Sequence, residues 1–81
     1  MTRRNNTRGI KVRRTILDYI RYYWIEHGYS PSMVEIMRGC NISSKSIVNY
    51  HLQILKADGA IKMDAGIARS IRLVGMTVVF S

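Results

Sequence analysis

Side chains that can form hydrogen bonds without presenting negative charge recur in the middle of the chain; they are Ser46, Asn49, Tyr50 and Gln53. The spacing i, i+3, i+4, i+7 places them on one face of a helix. A helix that reads base edges in the major groove of DNA needs such side chains, because the bases present both donors and acceptors there. The stripe therefore indicates a helix that reads DNA, and the alternative is a plain solvated helix face.

The residues in front of the stripe predict another helix and a tight turn. Ser32 and Glu35 fit the S-x-x-E capping box, in which each side chain accepts a hydrogen bond from an unpaired backbone N–H at the start of a helix. Residues 41–43 form the turn, and Ser44 is the expected N-cap of the helix that carries the stripe. This order of elements is a helix-turn-helix.

Further periodic segments place these two helices in a small domain. A broad apolar face predicts a first helix that begins near Lys11 and ends at Gly28. After the stripe helix ends at residues 58–59, apolar and polar residues alternate in residues 60–64 and 70–74, on either side of a loop. The predicted fold is mainly α with a small β-hairpin: a winged helix-turn-helix of three helices and a two- or three-stranded wing.

The predicted organisation is one domain with a short segment at each end. The chain has 81 residues, a length that suits a single small domain. We expect residues 1–9 to form a basic flexible arm and residues 10–75 to form the winged helix-turn-helix domain. Residues 76–81 are an apolar tail, which adds a third strand or contacts a partner chain.

Positive charge is concentrated near the N-terminal end of the sequence. The chain has 13 Lys and Arg against 5 Asp and Glu, a formal net charge of +8, and residues 1–14 contain cations and no acid. Such a segment is attracted to polyanions, of which nucleic acid is the commonest. We therefore expect Arg3, Arg4 and Arg8 to contact DNA, and the alternative is a solubilising tail.

The composition gives no indication of a disulfide-bonded, metal-binding or membrane-spanning protein. Cys40 is the only cysteine, which excludes an internal disulfide and suits a reducing cytoplasm. Cys40, His27 and His51 show no CxxC or HxxxH spacing, so we expect no metal and no cofactor. The longest apolar runs are too short to span a membrane. His51 is expected to be a packed or capping histidine, with a pH switch as the alternative.

Segments within residues 16–74 resemble, in order and spacing, the N-terminal DNA-binding domain of LexA-type repressors, with a short insertion or deletion in the motif turn. These segments are Leu17–Arg21, Gly28–Ile36, Tyr50–Leu55, Asp58–Ile61 and Arg69–Leu73. Any one of them alone is a weak indication, and their shared order makes the resemblance specific.

The resemblance implies a winged-helix domain that reads a palindromic operator through the start of its third helix. The base-contact positions of the family fall here at Ser44, Ser46, Ile47, Asn49 and Tyr50. The family commonly has acidic residues at the last two positions, so we expect a different target sequence. The family's C-terminal part, whose Ser/Lys dyad cleaves the protein and which also dimerises it, has no counterpart in this sequence, so we expect no enzyme activity.

The chemistry of each candidate side chain suggests its contact. Asn49 and Gln53 match the donor and acceptor edge of adenine, and Lys45 reaches a guanine edge or a phosphate. Tyr50 contacts a sugar or a thymine methyl group, and the serines at the helix start suit phosphate oxygens. Arg69, expected at or near the wing tip, enters the minor groove or holds a phosphate.

These observations predict a sequence-specific regulator of transcription that binds double-stranded DNA, most simply a repressor that blocks polymerase by occupancy. We expect it in the cytoplasm with the nucleoid, and its small size favours a phage, plasmid or mobile-element regulator. A weak homodimer, or dimerisation on DNA, would impose a two-fold site. The alternative function is a protein-interaction adaptor that docks through the apolar tail. RNA binding is a weaker third option, because the A-form major groove is deep and narrow.

Overall fold

The computed structural model describes the backbone of residues 4–75 and the side chains of residues 8–75. In chain order the elements are α1 (Arg4–His27), α2 (Met33–Gly39), α3 (Lys45–Ala57), β1 (Ile61–Lys62) and β2 (Arg72–Leu73). The two strands pair antiparallel, with Ile61 opposite Leu73. Three helices followed by a two-stranded hairpin form the winged helix-turn-helix that the sequence predicts. We call residues 61–73, the hairpin with its loop, the wing.

Aliphatic side chains from all three helices and from both ends of the wing meet in one core. These buried side chains are Ile16, Ile20, Ile36, Val48, Leu52, Leu55, Ile61 and Ile71. On α3 the buried positions recur every three or four residues, so one face of the helix packs inward and the other remains in solvent. Burial of each such side chain contributes ~1.5–3 kcal/mol, which fixes α3 against α1 and α2.

Both helices of the motif are capped as the sequence predicts. The Ser32 hydroxyl accepts a hydrogen bond from Glu35 N at 3.2 Å, and the Glu35 carboxylate accepts one from Ser32 N at 2.9 Å. Asn41, in the turn, adopts the left-handed conformation with φ of 57°. Ser44 caps α3, since its hydroxyl accepts a hydrogen bond from Ile47 N at 3.3 Å.

The predicted start of α1 near Lys11 is wrong, because the helix begins at Arg4. Residues 4–9, which the sequence assigns to a flexible arm, therefore form its first turns. No apolar stripe marks these turns, so periodicity alone does not reveal them. A formed helix nevertheless extends by one backbone hydrogen bond per residue without a second nucleation step.

Both strands are shorter than the alternation in residues 60–64 and 70–74 predicts. The Ser70 hydroxyl accepts a hydrogen bond from Asp64 N at 3.0 Å and donates one to Ile67 O at 2.9 Å. The Ser70 hydroxyl thus accepts the hydrogen bond that a backbone carbonyl oxygen would accept if the strands continued. Arg69 also adopts a left-handed conformation, with φ of 56°, which extended strands do not contain.

A close approach of α1 and α2 depends on a glycine that the sequence analysis does not single out for packing. Gly39 ends α2 against the ring of Tyr19, and a Cβ atom added to Gly39 would overlap that ring. A larger residue would therefore force either the Tyr19 ring or the two helices to shift. The two contacting residues are distant in the sequence, so no local pattern predicts this contact.

Some predictions concern parts of the chain outside the described residues. They are the DNA contact of Arg3, the contact of the Arg4 side chain, and the third strand or partner contact of residues 76–81. Within residues 4–75 no helix is both long enough and apolar enough to cross a membrane.

Candidate nucleic-acid interface

The hydrogen-bonding stripe of the sequence lies on the solvent face of α3. All of its side chains are exposed, and Lys45 at the start of the helix is exposed beside them. Opposite them on the same helix lie the buried residues of the core. We call this surface the outer face of α3, and it consists of Lys45, Ser46, Asn49, Tyr50 and Gln53.

One hydrogen bond links two members of the outer face to each other. The Gln53 side-chain amide donates to Asn49 Oδ1 at 3.3 Å, which leaves the Asn49 amino group and the Gln53 carbonyl oxygen directed away from the bond. Among the described residues, the side chains of Lys45 and Ser46 make no further hydrogen bond or ion pair. The outer face therefore presents donors, an acceptor and one cation to a partner.

The first turn of α3 contains a residue that caps the helix and an exposed aliphatic residue. Ser44 uses its hydroxyl oxygen as the acceptor for Ile47 N, and the hydroxyl hydrogen remains able to donate. Ile47 itself is 41 % exposed despite its aliphatic side chain. The helix start therefore offers both a donor and an apolar surface next to the outer face.

A groove separates α3 from the wing. Lys45, Asn49 and Gln53 form its α3 side, the segment 31–34 forms one end, and wing residues 63–71 form the opposite side. Ile67 lies in the wing loop and is 62 % exposed. We call this space the wing groove, and it brings residues of the outer face and of the wing together on one surface.

A second groove lies on the other side of α3, between that helix and α1. The α1 side contains Arg8 and Arg13, and the α3 side contains Ile47, Tyr50 and His51. We call this space the α1 groove. The outer face of α3 therefore forms a ridge between two grooves, with arginines on the α1 side and Lys45 on the wing side. This ridge and its flanks can accept an anionic, grooved surface.

His51 forms the floor of the α1 groove and is only 7 % exposed. Its Nδ1 lies 3.2 Å from Nη1 of Arg13, so the neutral ring accepts a hydrogen bond from the guanidinium. Burial and the adjacent Arg13 both lower the pKa of His51, because each disfavours a second positive charge. The packed role predicted for this histidine is confirmed.

Arg69 lies in the wing loop between β1 and β2, and its side chain is held against the helices rather than extended away from the wing. The side chain turns toward the helices, where Nη1 donates to Glu35 Oε1 at 2.8 Å and to the Ser30 carbonyl oxygen at 3.0 Å. Nη2 donates to Glu35 Oε2 at 3.0 Å, and Tyr23 Oη lies 3.3 Å from Nη1. The guanidinium also sits over the ring of Tyr29, 5.1 Å from its centroid. We call these residues the wing root.

The electrostatics of the wing root follow from this arrangement. The hydrogen bonds from Arg69 and from Ser32 N hold the pKa of Glu35 at about 2, below its usual value. The hydrogen bonds to Glu35 and to Tyr23 raise the pKa of Arg69 above its ordinary value. Glu35 therefore carries its charge throughout the physiological range, and it both caps α2 and binds the wing.

Three further side chains lie outside the outer face of α3. Arg8 is exposed at the α1 groove. Arg72 faces solvent on β2, with its guanidinium 3.9 Å from the Asp64 carboxylate. Cys40 is half buried, and burial raises the pKa of its thiol, which disfavours the reactive thiolate. From residue 8 to residue 75, no cluster of His, Cys, Asp and Glu has the size of a metal site.

Comparison with known proteins gives one consistent result. A protein-family model described as the LexA DNA binding domain matches residues 10–70. The chain is 44 % identical over 64 residues to the LexA repressor of Roseiflexus sp. strain RS-1, which covers 79 % of this chain and 29 % of that protein. It is 39 % identical over 59 residues to the LexA repressor of Herpetosiphon aurantiacus, covering 73 % of this chain and 28 % of that protein.

A third relative gives the longest of these three alignments. The chain is 35 % identical over 72 residues to a LexA repressor of Clostridium botulinum, which covers 89 % of this chain and 36 % of that protein. The chain thus spans about a third or less of the length of these curated relatives. The matched segment contains α2, α3 and the groove residues between positions 10 and 70.

Proposed function

This chain belongs to the LexA DNA-binding domain family, and from that premise we propose that it binds double-stranded DNA at specific sequences and represses transcription. The observation that carries the proposal is the outer face of α3, an exposed, hydrogen-bonding ridge between two grooves. Its side chains include no carboxylate. A helix of this kind fits the width of the major groove and is not repelled by the phosphates.

Base recognition centres on the linked pair Asn49 and Gln53. Their mutual hydrogen bond leaves one amide donor and one amide acceptor directed outward. Adenine presents an acceptor and a donor side by side in the major groove, so the pair complements that edge. Lys45, at the start of the same face, reaches a guanine edge or a phosphate.

Apolar recognition is the role of the side of α3 that faces the α1 groove. Ile47 and Tyr50 are exposed there, at 41 % and 61 %. Thymine is the base that presents a methyl group in the major groove, and apolar side chains distinguish it. These two residues therefore favour a thymine next to the base pair read by Asn49.

The phosphate backbones run along the two flanks of the ridge. Arg8 in the α1 groove approaches one strand, and the Ser44 and Ser46 hydroxyls at the start of α3 donate to phosphate oxygens. Arg13 is held by His51 and adds positive potential to the same groove. Because such contacts release counterions, the affinity should fall steeply with salt.

Repression follows from occupancy of the site, in the cytoplasm where the chromosome lies. A single module of this size contacts few base pairs, so we propose that two copies bind a two-fold symmetric site as a weak homodimer or a dimer formed on DNA. The partner protein in this proposal is therefore a second copy of the chain.

Selection of duplexes from a random library, followed by fluorescence anisotropy at several salt concentrations, tests the proposal. We expect one enriched motif with two-fold symmetry, and a plot of log affinity against log salt that becomes about one unit less steep for Arg8→Ala. Glu26→Gln, an exposed change on α1, is the control and should leave this plot unchanged or slightly shifted. Motif-free binding that vanishes at physiological salt would contradict the proposal and favour a protein-interaction module.

A further inference from the structure

Both limbs of the wing contact the core, through Ile61 and Ile71, but only the limb that returns toward β2 makes side-chain hydrogen bonds to the helices among the described residues. Ile71 N donates to the Ser30 hydroxyl at 3.1 Å, and the Ile71 carbonyl oxygen accepts from Trp24 Nε1 at 2.9 Å. Two residues earlier, the Arg69 side chain makes its contacts with Glu35 and the Ser30 carbonyl oxygen. The hydrogen bonds of Asp64 and Ser70, in contrast, stay within the wing.

The strands of the wing are too short to fix its direction by themselves. Each has two residues, and a two-stranded hairpin is marginally stable alone. The angle between the wing and α3 therefore depends on its contacts with the helices, which are the packing of Ile61 and Ile71 in the core and the hydrogen bonds of the returning limb. Among these, the paired hydrogen bonds from Arg69 to the Glu35 carboxylate are charge-assisted and directional, so they constrain orientation as well as distance.

We propose that Arg69 is a positioning residue that fixes the wing relative to the helix-turn-helix and makes no contact with DNA. Its guanidinium joins the returning limb to Glu35, the residue that also caps α2, and to Ser30 in the α1–α2 connection. These contacts thereby fix the width of the wing groove, which is the distance between the wing loop and the outer face of α3. This role rests on the proposed DNA-binding function.

A positioning role and a direct contact predict opposite effects of one substitution. If Arg69 holds a phosphate, then Glu35→Gln releases its guanidinium and should maintain or tighten DNA binding. If Arg69 positions the wing, then Glu35→Gln weakens the same attachment that Arg69→Ala removes. A glutamine can still accept the hydrogen bond from Ser32 N, so the cap of α2 is retained in part.

The experiment uses the full chain and the duplex selected by it, with every single-base variant of that duplex. We expect Arg69→Ala and Glu35→Gln both to lose about tenfold in discrimination at base pairs outside the segment read through Asn49, with an unchanged salt dependence. Hydrogen exchange of the free protein should be faster at the amides of residues 64–70 in both variants. If Arg69 contributed only to stability, the substitutions would weaken binding equally for every single-base variant of the duplex, and no loss of discrimination at particular base pairs would appear.

Two matched variants complete the test. Ser32→Ala removes the other half of the capping box and keeps Arg69 paired, and Arg72→Ala removes an exposed arginine of the wing. Neither should reproduce the position-dependent loss. The proposal is overturned if Glu35→Gln binds as tightly as the unmodified chain while Arg69→Ala loses affinity and salt dependence, or if neither substitution changes wing exchange.

The two proposals can fail separately. If the unmodified chain selects no motif, the proposed function fails, and hydrogen exchange alone then decides the attachment of the wing. Faster exchange in residues 64–70 of both variants would support the positioning role in that case, and unchanged exchange would refute it.

Discussion

The outer face of α3 and the wing root are both rich in polar side chains, and they use them in opposite ways. On the outer face, Asn49 and Gln53 bind each other and present their remaining groups to solvent. At the wing root, the Arg69 guanidinium donates its hydrogen bonds to the Glu35 carboxylate, and Ser30 is buried between the wing and the helices. The difference separates residues available to a partner from residues that hold the shape of the surface.

Substitution of one serine from each region should give the largest difference in stability between the two regions. The Ser30 hydroxyl accepts a hydrogen bond from the buried Ile71 N, so Ser30→Ala leaves a buried donor unpaired and should lower the free energy of unfolding by ~1–3 kcal/mol. Ser46→Ala, on the exposed outer face, should change it by less than ~0.5 kcal/mol. Urea unfolding followed by circular dichroism measures both, and equal effects would contradict the distinction.

Ser44 lies between the two classes because it caps α3 at the edge of the outer face. Ser44→Ala should lower the free energy of unfolding by ~0.5–2 kcal/mol, since Ile47 N loses its acceptor. It should also weaken DNA binding through the lost hydroxyl donor. Ser44→Asp separates the two effects, because it restores the cap and places a negative charge beside the phosphates. We expect recovered stability and still weaker DNA binding, and recovery of both would argue against phosphate contact.

The wing root should also be visible in the acid dependence of stability. The pKa of Glu35 is lowered in the folded state from 4.5 to about 2, so its contribution is fully present above pH 4.5 and is lost as the pH falls through about 2. The difference in Tm between the unmodified chain and Glu35→Gln should therefore shrink from pH 4.5 to pH 2. Asp18→Asn, which breaks an exposed pair with Arg21, is the control and should give a small difference.

A smaller pH effect should arise beneath the α1 groove. The pKa of His51 is lowered in the folded state, so the unfolded chain takes up the proton first as the pH falls below 6.5, and stability declines there. His51→Gln should remove this decline, whereas His27→Gln, at an exposed position, should retain it. Thermal unfolding between pH 7.5 and pH 5 distinguishes the two, and a decline that persists in His51→Gln would contradict the assignment.

Local patterns predicted the helix-turn-helix because its determinants are local. Ser32, Glu35 and Ser44 act on backbone groups within three residues of themselves, and the structure confirms the caps of both helices. The outer face follows from helical periodicity alone, so its exposure is also confirmed.

Contacts between distant residues explain what the sequence could not predict. Arg69 meets Glu35 across 34 positions, and nothing near Arg69 in the sequence indicates that its side chain turns toward α2 rather than toward a ligand. Gly39 is needed for packing only because Tyr19 approaches it from another helix. The early start of α1 has a different explanation, since residues 4–9 lack the apolar stripe by which periodicity detects a helix.

The most direct test of the central claim is the effect of Asn49→Ala on recognition of each base pair in the selected duplex. We predict a loss of ~1–3 kcal/mol in discrimination at one base pair, with unchanged stability, because Asn49 is exposed and bonded only to Gln53 among the described residues. Thr15→Ala, an exposed polar change on α1, should leave recognition intact. Unaltered discrimination in Asn49→Ala at every base pair would contradict the assignment of the outer face of α3 as the reading surface.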